Sequence, residues 1–109
     1  YWRMNDFDAQ VLERLREALD ADGRKDRRIS EDAGIGPNYI RGIFKEGKKP
    51  TVDYLMRILD NLGQSATIYV LTGMRLNELD LEFLNLVSSM SDSSKQHALA
   101  LFQGMQSHE

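Results

Sequence analysis

Apolar side chains recur at spacings of three and four residues along most of the chain, which is the pattern of helices that bury one face. The first such stripe consists of Val11, Leu12, Leu15, Ala18 and Leu19. Asp6 or Asp8 is suited to capping the start of this helix, and Gly23 is suited to ending it. The pattern therefore predicts a long helix whose stripe packs against the rest of a domain.

Two short helices are predicted next, over residues 25–32 and 37–45. Gly34 lies between them, where glycine permits the left-handed backbone of a tight turn. Pro37 suits the first turn of the second helix, because the amide hydrogen that it lacks would have no partner there. The segment therefore predicts a helix, a glycine turn and a second helix.

The next predicted helix covers residues 52–62, with Thr51 as its N-cap. Its inward side chains are predicted to be Val52, Leu55, Ile58, Leu59 and Leu62. Residues 65–73 are ambiguous, since β-branched side chains favour a strand whereas Ser65 could begin a helix and Gly73 could end it. We predict a helix, because a lone strand would have no partner in this chain.

Basic residues become scarce after residue 73, and two more helices are predicted, over residues 77–89 and from Asp92 to Gln106 with Ser91 as the cap. The chain is thus predicted to be all-α. A five-helix domain over residues 6–73 would precede a two-helix appendage over residues 74–109. The appendage is rich in Leu, Phe and Met and is too short to bury these side chains unaided.

Charge is distributed unevenly, although the net charge of the chain is only −3. Residues 1–23 carry −3 and residues 50–109 carry −4, whereas residues 24–49 carry +4. The basic residues of this central segment are Arg24, Lys25, Arg27, Arg28, Arg41, Lys45, Lys48 and Lys49. DNA affinity depends on local basic groups that reach phosphates, so the segment is a candidate DNA contact, although an ordinary solvated loop would have the same charge.

Several classes of protein are disfavoured by what the sequence lacks. It has no cysteine, so we expect neither a disulfide framework nor a thiolate zinc site. The two histidines, His97 and His108, do not have the spacing of metal ligands, and no nucleophile is paired with a base. No apolar run approaches the roughly 20 residues of a membrane span. We therefore expect a cytoplasmic protein that is not an enzyme, does not enter a membrane, and needs no cofactor or metal.

The run RISEDAGIGPNYIRGI, residues 28–43, resembles the helix-turn-helix of the phage-repressor-like family of transcriptional regulators. The positions that fit the family's pattern are Ile29, Ser30, Ala33, Gly34, Ile35, Ile40 and Ile43. The resemblance extends through Pro50-Thr51 to Leu71-Thr72-Gly73 and covers residues 8–73. It implies a five-helix domain that binds a palindromic operator in double-stranded DNA as a dimer, in which the second helix of the motif lies in the major groove.

The resemblance also implies roles for individual residues. The head of the recognition helix reads bases in this family, which assigns that role to Pro37, Asn38, Tyr39 and Arg41. Asn38 can pair with adenine and Arg41 with guanine, whereas Asn38 could instead cap its own helix and Tyr39 could lie at the core edge. Gly42 would let the DNA backbone come close. The residues assigned to the DNA backbone are Arg27, Arg28, Lys45, Lys48 and Lys49.

The sequence departs from the family's pattern at two places. Asp26 stands where the family often has a glutamine that braces a base contact, and Gly36 and Pro37 stand where it often has serine and glutamine. Both changes remove polar groups that could read bases. Asn38 and Arg41 are therefore expected to carry more of the specificity.

The apolar surface of residues 79–105 has three possible uses, namely packing on its own domain, homodimerisation or capture of another protein. We favour homodimerisation, because two modules on a palindrome bind more tightly than one. The residues predicted to form the dimer are Leu79, Phe83, Leu84, Val87, Leu99, Phe102 and Met105.

Three functions are compatible with these features. The first is a dimeric transcriptional regulator of phage or bacterial origin, typically a repressor. The second is an antitoxin whose C-terminal helices bind a toxin while its first domain autoregulates on DNA. The third is an adaptor that keeps the fold but recruits protein instead of DNA.

Overall fold

The computed structural model describes residues 4–106, with side chains described from residue 9 onward. In that range it consists of helices and has no strand: α1 (Met4–Asp22), α2 (Asp26–Asp32), α3 (Tyr39–Lys45), α4 (Val52–Leu62), α5 (Gln64–Thr72), α6 (Glu78–Ser88) and α7 (Asp92–Gln106). The predicted all-α class is confirmed. None of these described helices has both the length and the hydropathy needed to cross a membrane.

The described residues form two compact units, which divide between Arg75 and Leu76. The first contains α1–α5, in which α5 packs against α1 and α4 while α2 packs against α3 and α4. The second contains α6 and α7. The core of the first unit consists of Val11, Leu15, Ala18, Leu19, Ile29, Ile40, Ile43, Ile58, Leu59 and Val70. Each of the helices α1–α5 thus places at least one apolar side chain in a common core.

The predicted bounds of α4 are confirmed, and Thr51 caps it as expected. The Thr51 hydroxyl oxygen accepts a hydrogen bond from the Tyr54 amide at 3.3 Å. The inward orientation predicted for Val52 is wrong, since this side chain is 78% exposed. Val52 shares a face of α4 with Leu59, seven residues later, but as the first residue of the helix it lies where the core no longer covers this face.

The ambiguous segment forms a helix, as predicted, although it begins one residue before Ser65. Gly63 is the N-cap of α5, and Gly73 ends it in the left-handed conformation. The Gly63 carbonyl accepts a hydrogen bond from the Thr67 amide at 3.0 Å. A helix pairs its amides within the segment, whereas a single strand would leave them without partners. This requirement overrides the β-branched composition.

Two other helix starts differ from the prediction. α1 begins at Met4, so Asp6 and Asp8 lie inside the helix and not at its cap. α6 begins at Glu78 with Asn77 as its N-cap, and Asp80 completes a capping box by accepting a hydrogen bond from the Asn77 amide at 2.9 Å. Ser91 caps α7 as predicted, since its hydroxyl oxygen accepts a bond from the Ser94 amide at 3.2 Å.

Ser30 on α2 is fully buried, and its hydroxyl has no hydrogen-bond partner among the described residues. A buried polar group without a partner costs stability, and alanine is also a better helix former than serine. We therefore expect Ser30→Ala to raise the free energy of unfolding by about 0.5–1 kcal/mol. Urea denaturation followed by circular dichroism measures this change.

Thr67 on α5 provides the matched control, because its hydroxyl is satisfied. It lies 2.8 Å from the Gly63 carbonyl oxygen and 3.0 Å from that of Leu59. Thr67→Val keeps the shape but loses this bond, so it should lower the free energy of unfolding by about 0.5–1.5 kcal/mol. If Ser30→Ala lowers stability as much as Thr67→Val does, the Ser30 hydroxyl has a partner and its assignment as unsatisfied is wrong.

Candidate nucleic-acid interface

The connection between α2 and α3 is a tight turn built from backbone hydrogen bonds. The Gly34 amide donates to the Glu31 carbonyl at 3.0 Å, and the Ile35 amide donates to the Ser30 carbonyl at 3.0 Å. Gly34 has a φ of +75°, a conformation that L-residues with a side chain rarely adopt. Ile35 then packs against the core. This turn ends α2 and directs the chain into α3.

α3 begins two residues later than predicted. The Tyr39 amide donates to the Gly36 carbonyl at 3.1 Å, which closes a turn with Pro37 and Asn38 at its centre. Proline favours the first central position of such a turn, and Asn38 has the φ of −104° and ψ of 11° typical of the second. Pro37 therefore belongs to the turn that precedes the helix. The prediction that it forms the first turn of the recognition helix is wrong.

Asn38 and Arg41 are exposed. Asn38 occupies the N-cap position of α3, but its side chain makes no capping hydrogen bond. The Arg41 guanidinium forms no hydrogen bond or ion pair with any described residue. Together with Lys45 they recur at spacings of three and four residues, which places them on one face of α3. Their polar groups can therefore bind a ligand without first breaking an internal contact to described residues.

Tyr39 has a packing role in the structure. It is half-buried against the core. Its hydroxyl oxygen accepts a hydrogen bond from the Thr51 amide at 3.0 Å, and its ring meets that of Tyr54 edge-on, with centroids 4.9 Å apart. Of the two roles considered for Tyr39, these contacts support the core edge. They also tie α3 to the start of α4.

The loop after α3 folds back over Gly42. Gly47, with a φ of +69°, reverses the chain so that the Lys48 amide donates to the Gly42 carbonyl at 3.1 Å. A methyl group on Gly42 would lie 3.4 Å from Glu46 Oε2 and 3.4 Å from Lys48 Cδ. Gly42 is itself buried. The side chains of Glu46 and Lys48 thus occupy the space that the sequence interpretation reserved for approaching DNA.

The five basic residues predicted to contact the DNA backbone fall into two groups. In the first, acidic neighbours pair with the cations: Arg27 with Glu31 at 3.1 Å, Arg28 with Asp32 at 3.1 Å and Lys48 with Glu46 at 3.2 Å. In the second, Lys45 and Lys49 are exposed and form no ion pair with a described residue. The exposed ion pairs of the first group contribute little stability, so their cations can readily exchange one partner for another. All five predicted backbone residues can reach solvent, but Lys45 and Lys49 need break no ion pair with a described residue.

Arg16 connects three helices and was missed by the sequence interpretation. Its Nη1 and Nη2 donate to the two carboxylate oxygens of Asp26 at 2.8 and 2.7 Å, which joins α1 to the first residue of α2. The guanidinium carbon also lies 4.8 Å from the centre of the Phe44 ring on α3. The only signal in the sequence was the acidic residue at position 26, since a pairing between residues ten positions apart cannot be recognised from periodicity.

The Arg16–Asp26 pair changes the electrostatics beside α3. The hydrogen bonds donated by Arg16 hold the pKa of Asp26 below its ordinary value of 3.8, against the opposing effect of partial burial. The positive charges of Arg16 and Lys45 lower the pKa further. Asp26 is therefore an ionised carboxylate that is already bound by the protein. It is not a free group available to contact a base.

The residues predicted to form a dimer lie in the second unit, on α6 and α7, where no described residue is buried. Phe83 and Phe102 are in contact, with ring centroids 5.5 Å apart at an interplanar angle of 59°. Val87 is half-buried. The remaining predicted dimer residues, together with Leu86 and Leu101, are between 42% and 66% exposed: Leu79, Phe83, Leu84, Leu99, Phe102 and Met105. We name the exposed apolar side chains of α6 and α7 the hairpin face.

α3 and the loop after it carry exposed polar and basic side chains, whereas the hairpin face is apolar. Comparisons with family models, with curated proteins and with solved structures found no match to this chain.

Proposed function

We propose that this chain is a sequence-specific DNA-binding regulator, most simply a repressor, that binds a palindromic operator as a homodimer. The observation that carries the proposal is the exposed face of α3, on which Asn38, Arg41 and Lys45 have no competing hydrogen bond or ion pair with described residues. α3 follows α2 through a glycine turn, as in the helix-turn-helix that the sequence resembles.

The chemistry of this face matches the edges of base pairs. An α-helix fits the major groove of B-DNA, where adenine presents an acceptor beside a donor and guanine presents two acceptors. The Asn38 amide can satisfy the adenine pattern, and the Arg41 guanidinium can satisfy the guanine pattern. Pro37 and Tyr39 flank them and would contribute shape, with the Tyr39 ring held by Tyr54. Two such side chains on one short helix account for a short half-site.

Contacts to phosphates would come from the cations around α3. Lys45 and Lys49 are the first candidates, because neither has to leave an ion pair with a described residue. Arg27, Arg28 and Lys48 would exchange Glu31, Asp32 and Glu46 for phosphate oxygens, at a small cost because exposed ion pairs are weak. These contacts fix the register of the protein on DNA and carry no sequence information.

The hairpin face supports a second copy of this chain as the partner of α6 and α7. Large apolar side chains exposed together mark an interaction surface, and a hairpin without a buried residue gains a core when two copies pair. From Gln96 to Gln106 the chain carries no Asp, Glu, Lys or Arg. Two identical copies can therefore pair along α7 without like-charge repulsion. Such a dimer would carry two copies of α3, one for each half-site of a palindrome.

The proposal is tested by measuring solution mass and DNA selection on the same preparation. Light scattering should give the mass of a dimer, and selection from a random duplex pool should enrich a palindrome. A dimer that enriches no sequence at low or moderate salt would overturn the regulator. DNA-binding of this kind would act in the cytoplasm of the cell that carries the operator.

The same experiment separates the antitoxin alternative. An antitoxin would enrich its own promoter but would use the hairpin face for a different protein, so the isolated chain would be a monomer. Co-expression with the neighbouring genes and purification of the complex would then recover a stoichiometric partner. A dimer whose mass does not change in the presence of those gene products favours the regulator.

Removing Lys49 should reduce the salt dependence of DNA binding. Each phosphate contact contributes about 0.9 to the slope of log affinity against log salt, because it releases condensed counterions. We expect Lys49→Ala to lower this slope by about one and to weaken binding to operator and unrelated DNA alike. The matched variant is Lys48→Ala, which should change the slope less because Lys48 is paired with Glu46. Equal slopes for Lys49→Ala and the unmodified protein would exclude Lys49 as a phosphate contact.

A further inference from the structure

We propose that Arg16 is a positioning residue for the DNA-reading face, since its guanidinium holds the first residue of α2 and the end of α3 on α1. The inference rests on the proposed function. Arg16 lies on α1, outside the helix-turn-helix and before the basic segment of residues 24–49. It would affect which sequence is bound through the placement of α3, without touching DNA.

The geometry shows one side chain joining three helices. The two terminal nitrogens of Arg16 form parallel hydrogen bonds to the two oxygens of Asp26, which is the most directional arrangement available to an arginine and a carboxylate. Asp20 on α1 accepts further bonds from Nε and Nη2 at 3.1 and 2.9 Å, which fixes the guanidinium plane on its own helix. The Phe44 ring packs on this plane at 4.8 Å. Arg16 and Asp26 are each about one-third exposed, so water weakens the pair but does not replace it.

The apolar core by itself does not fix the orientation of α2 and α3. Both helices have seven residues, and such short helices depend on tertiary contacts for their order. Their buried side chains, Ile29, Ile40 and Ile43, lie in the middle of the motif, and apolar contact is not directional. Asp26 and Phe44 are the two ends of the motif in sequence, and both meet the Arg16 guanidinium. A directional contact at this one point, away from the apolar centre, resists rotation of the pair about that centre.

The pair also affects the charge available to DNA. Lys45 is close enough to Asp26 for its charge to lower the pKa of that carboxylate. With Arg16 in place, the carboxylate is already neutralised and Lys45 remains available for phosphate. Without Arg16, Asp26 would attract Lys45 and would present an uncompensated negative charge beside the phosphates. Arg16 thus acts in two separable ways, through geometry and through charge.

Three variants separate these effects. Arg16→Lys keeps the positive charge but loses the two parallel hydrogen bonds. Arg16→Gln loses the charge as well as these bonds. The double variant, Arg16→Gln with Asp26→Asn, also removes the negative charge of the carboxylate. For each variant, affinity for the selected operator and for an unrelated duplex is measured over a series of salt concentrations, well below the unfolding temperature. Arg75→Gln is the control, since it removes an arginine that is also ion-paired with a carboxylate of α1, Glu17, but contacts no described residue of α2 or α3.

We expect the ratio of operator to unrelated affinity to fall about tenfold in all three variants, the size of one lost base contact, and to be unchanged in Arg75→Gln. The salt slope should fall by about one in Arg16→Gln alone and recover in the double variant. A lower folded fraction would weaken binding to both duplexes by the same factor and would leave the ratio unchanged. An unchanged ratio in Arg16→Lys and Arg16→Gln therefore overturns the positioning role while the DNA-binding proposal stands. A parent protein that prefers no sequence overturns both.

Discussion

Replacing Arg41 with alanine should weaken binding to the operator by about 1–3 kcal/mol, which corresponds to a loss of affinity of roughly 5- to 150-fold. Arg41 is exposed on α3, and its guanidinium has no hydrogen bond or ion pair with a described residue. Its donors are therefore free to bind O6 and N7 of a guanine. The loss should be confined to one position in each half-site, where the variant should accept any base pair.

The measurement is a binding titration against the selected operator and against operators changed at single positions. Arg57→Ala is the matched control, because Arg57 is also an exposed arginine but lies on α4, where it pairs with Asp53 at 3.5 Å. It should bind the operator with nearly the parent affinity. If Arg41→Ala binds as tightly as Arg57→Ala and retains the parent's base preferences, α3 is not the reading helix.

The lengths of the helices could be predicted best where polar side chains mark their ends. Residues 52–62 and 92–106 were predicted as helices, and the structure gives the same bounds for α4 and α7. In both, a hydroxyl residue just before the helix accepts a hydrogen bond from an amide in the first turn, through Thr51 and Ser91. Such capping is a local interaction, so its signal is contained in a few consecutive residues.

Prediction failed where two local rules compete. Proline is compatible with the first turn of a helix and also with the first central position of a β-turn. At Pro37 the β-turn is formed, because Gly36 and Asn38 favour the turn and the Ile35 side chain must remain on the core. The outcome depends on packing, which the order of residues around Pro37 does not contain. The candidate reading face consequently begins at Asn38, and Pro37 only precedes it.

The site could be predicted as a set of residue types but not as a set of free and paired groups. The sequence shows eight cations in the central segment, but their order does not indicate which of them are bound within the protein. In the structure Arg24 is bound by Asp22 and Asp32 and also donates to the Asn61 carbonyl at 3.4 Å, whereas Arg41 has no such partner among the described residues. These partners come from α1, α2 and α4, so only the packing of the helices distinguishes a structural arginine from one available to DNA.

Replacing Phe102 with aspartate should dissociate the proposed dimer. Phe102 is 42% exposed and contacts Phe83 within the hairpin face. In a dimer the new carboxylate would be buried twice, once in each copy, in an apolar interface without a partner. We expect the dissociation constant to rise by at least about 100-fold, so that light scattering at micromolar concentration gives the mass of a monomer.

Two further variants show whether such a change in mass reflects the interface. Met105→Asp also lies on the hairpin face but is 59% exposed and makes no aromatic contact, so it tests the interface without disturbing the contact between Phe83 and Phe102. Ala100→Asp is the control, because Ala100 is exposed two positions before Phe102 and therefore points to the other side of α7. Circular dichroism confirms that each variant keeps its helices. A dimeric mass for both Phe102→Asp and Met105→Asp would place the dimer interface elsewhere.

The Phe102→Asp variant also tests how the two units cooperate in DNA binding. A single α3 contacts only one half-site, and its affinity is then close to that for unrelated DNA. When two copies are joined, the second half-site binds at a high effective concentration, so the pair gains affinity without any new base contact. Phe102→Asp should therefore lose preference for the full palindrome while retaining the same weak, salt-dependent affinity for a half-site. If it instead keeps full operator affinity as a monomer, α3 and its loop suffice for recognition, and the hairpin face serves some partner other than a second copy.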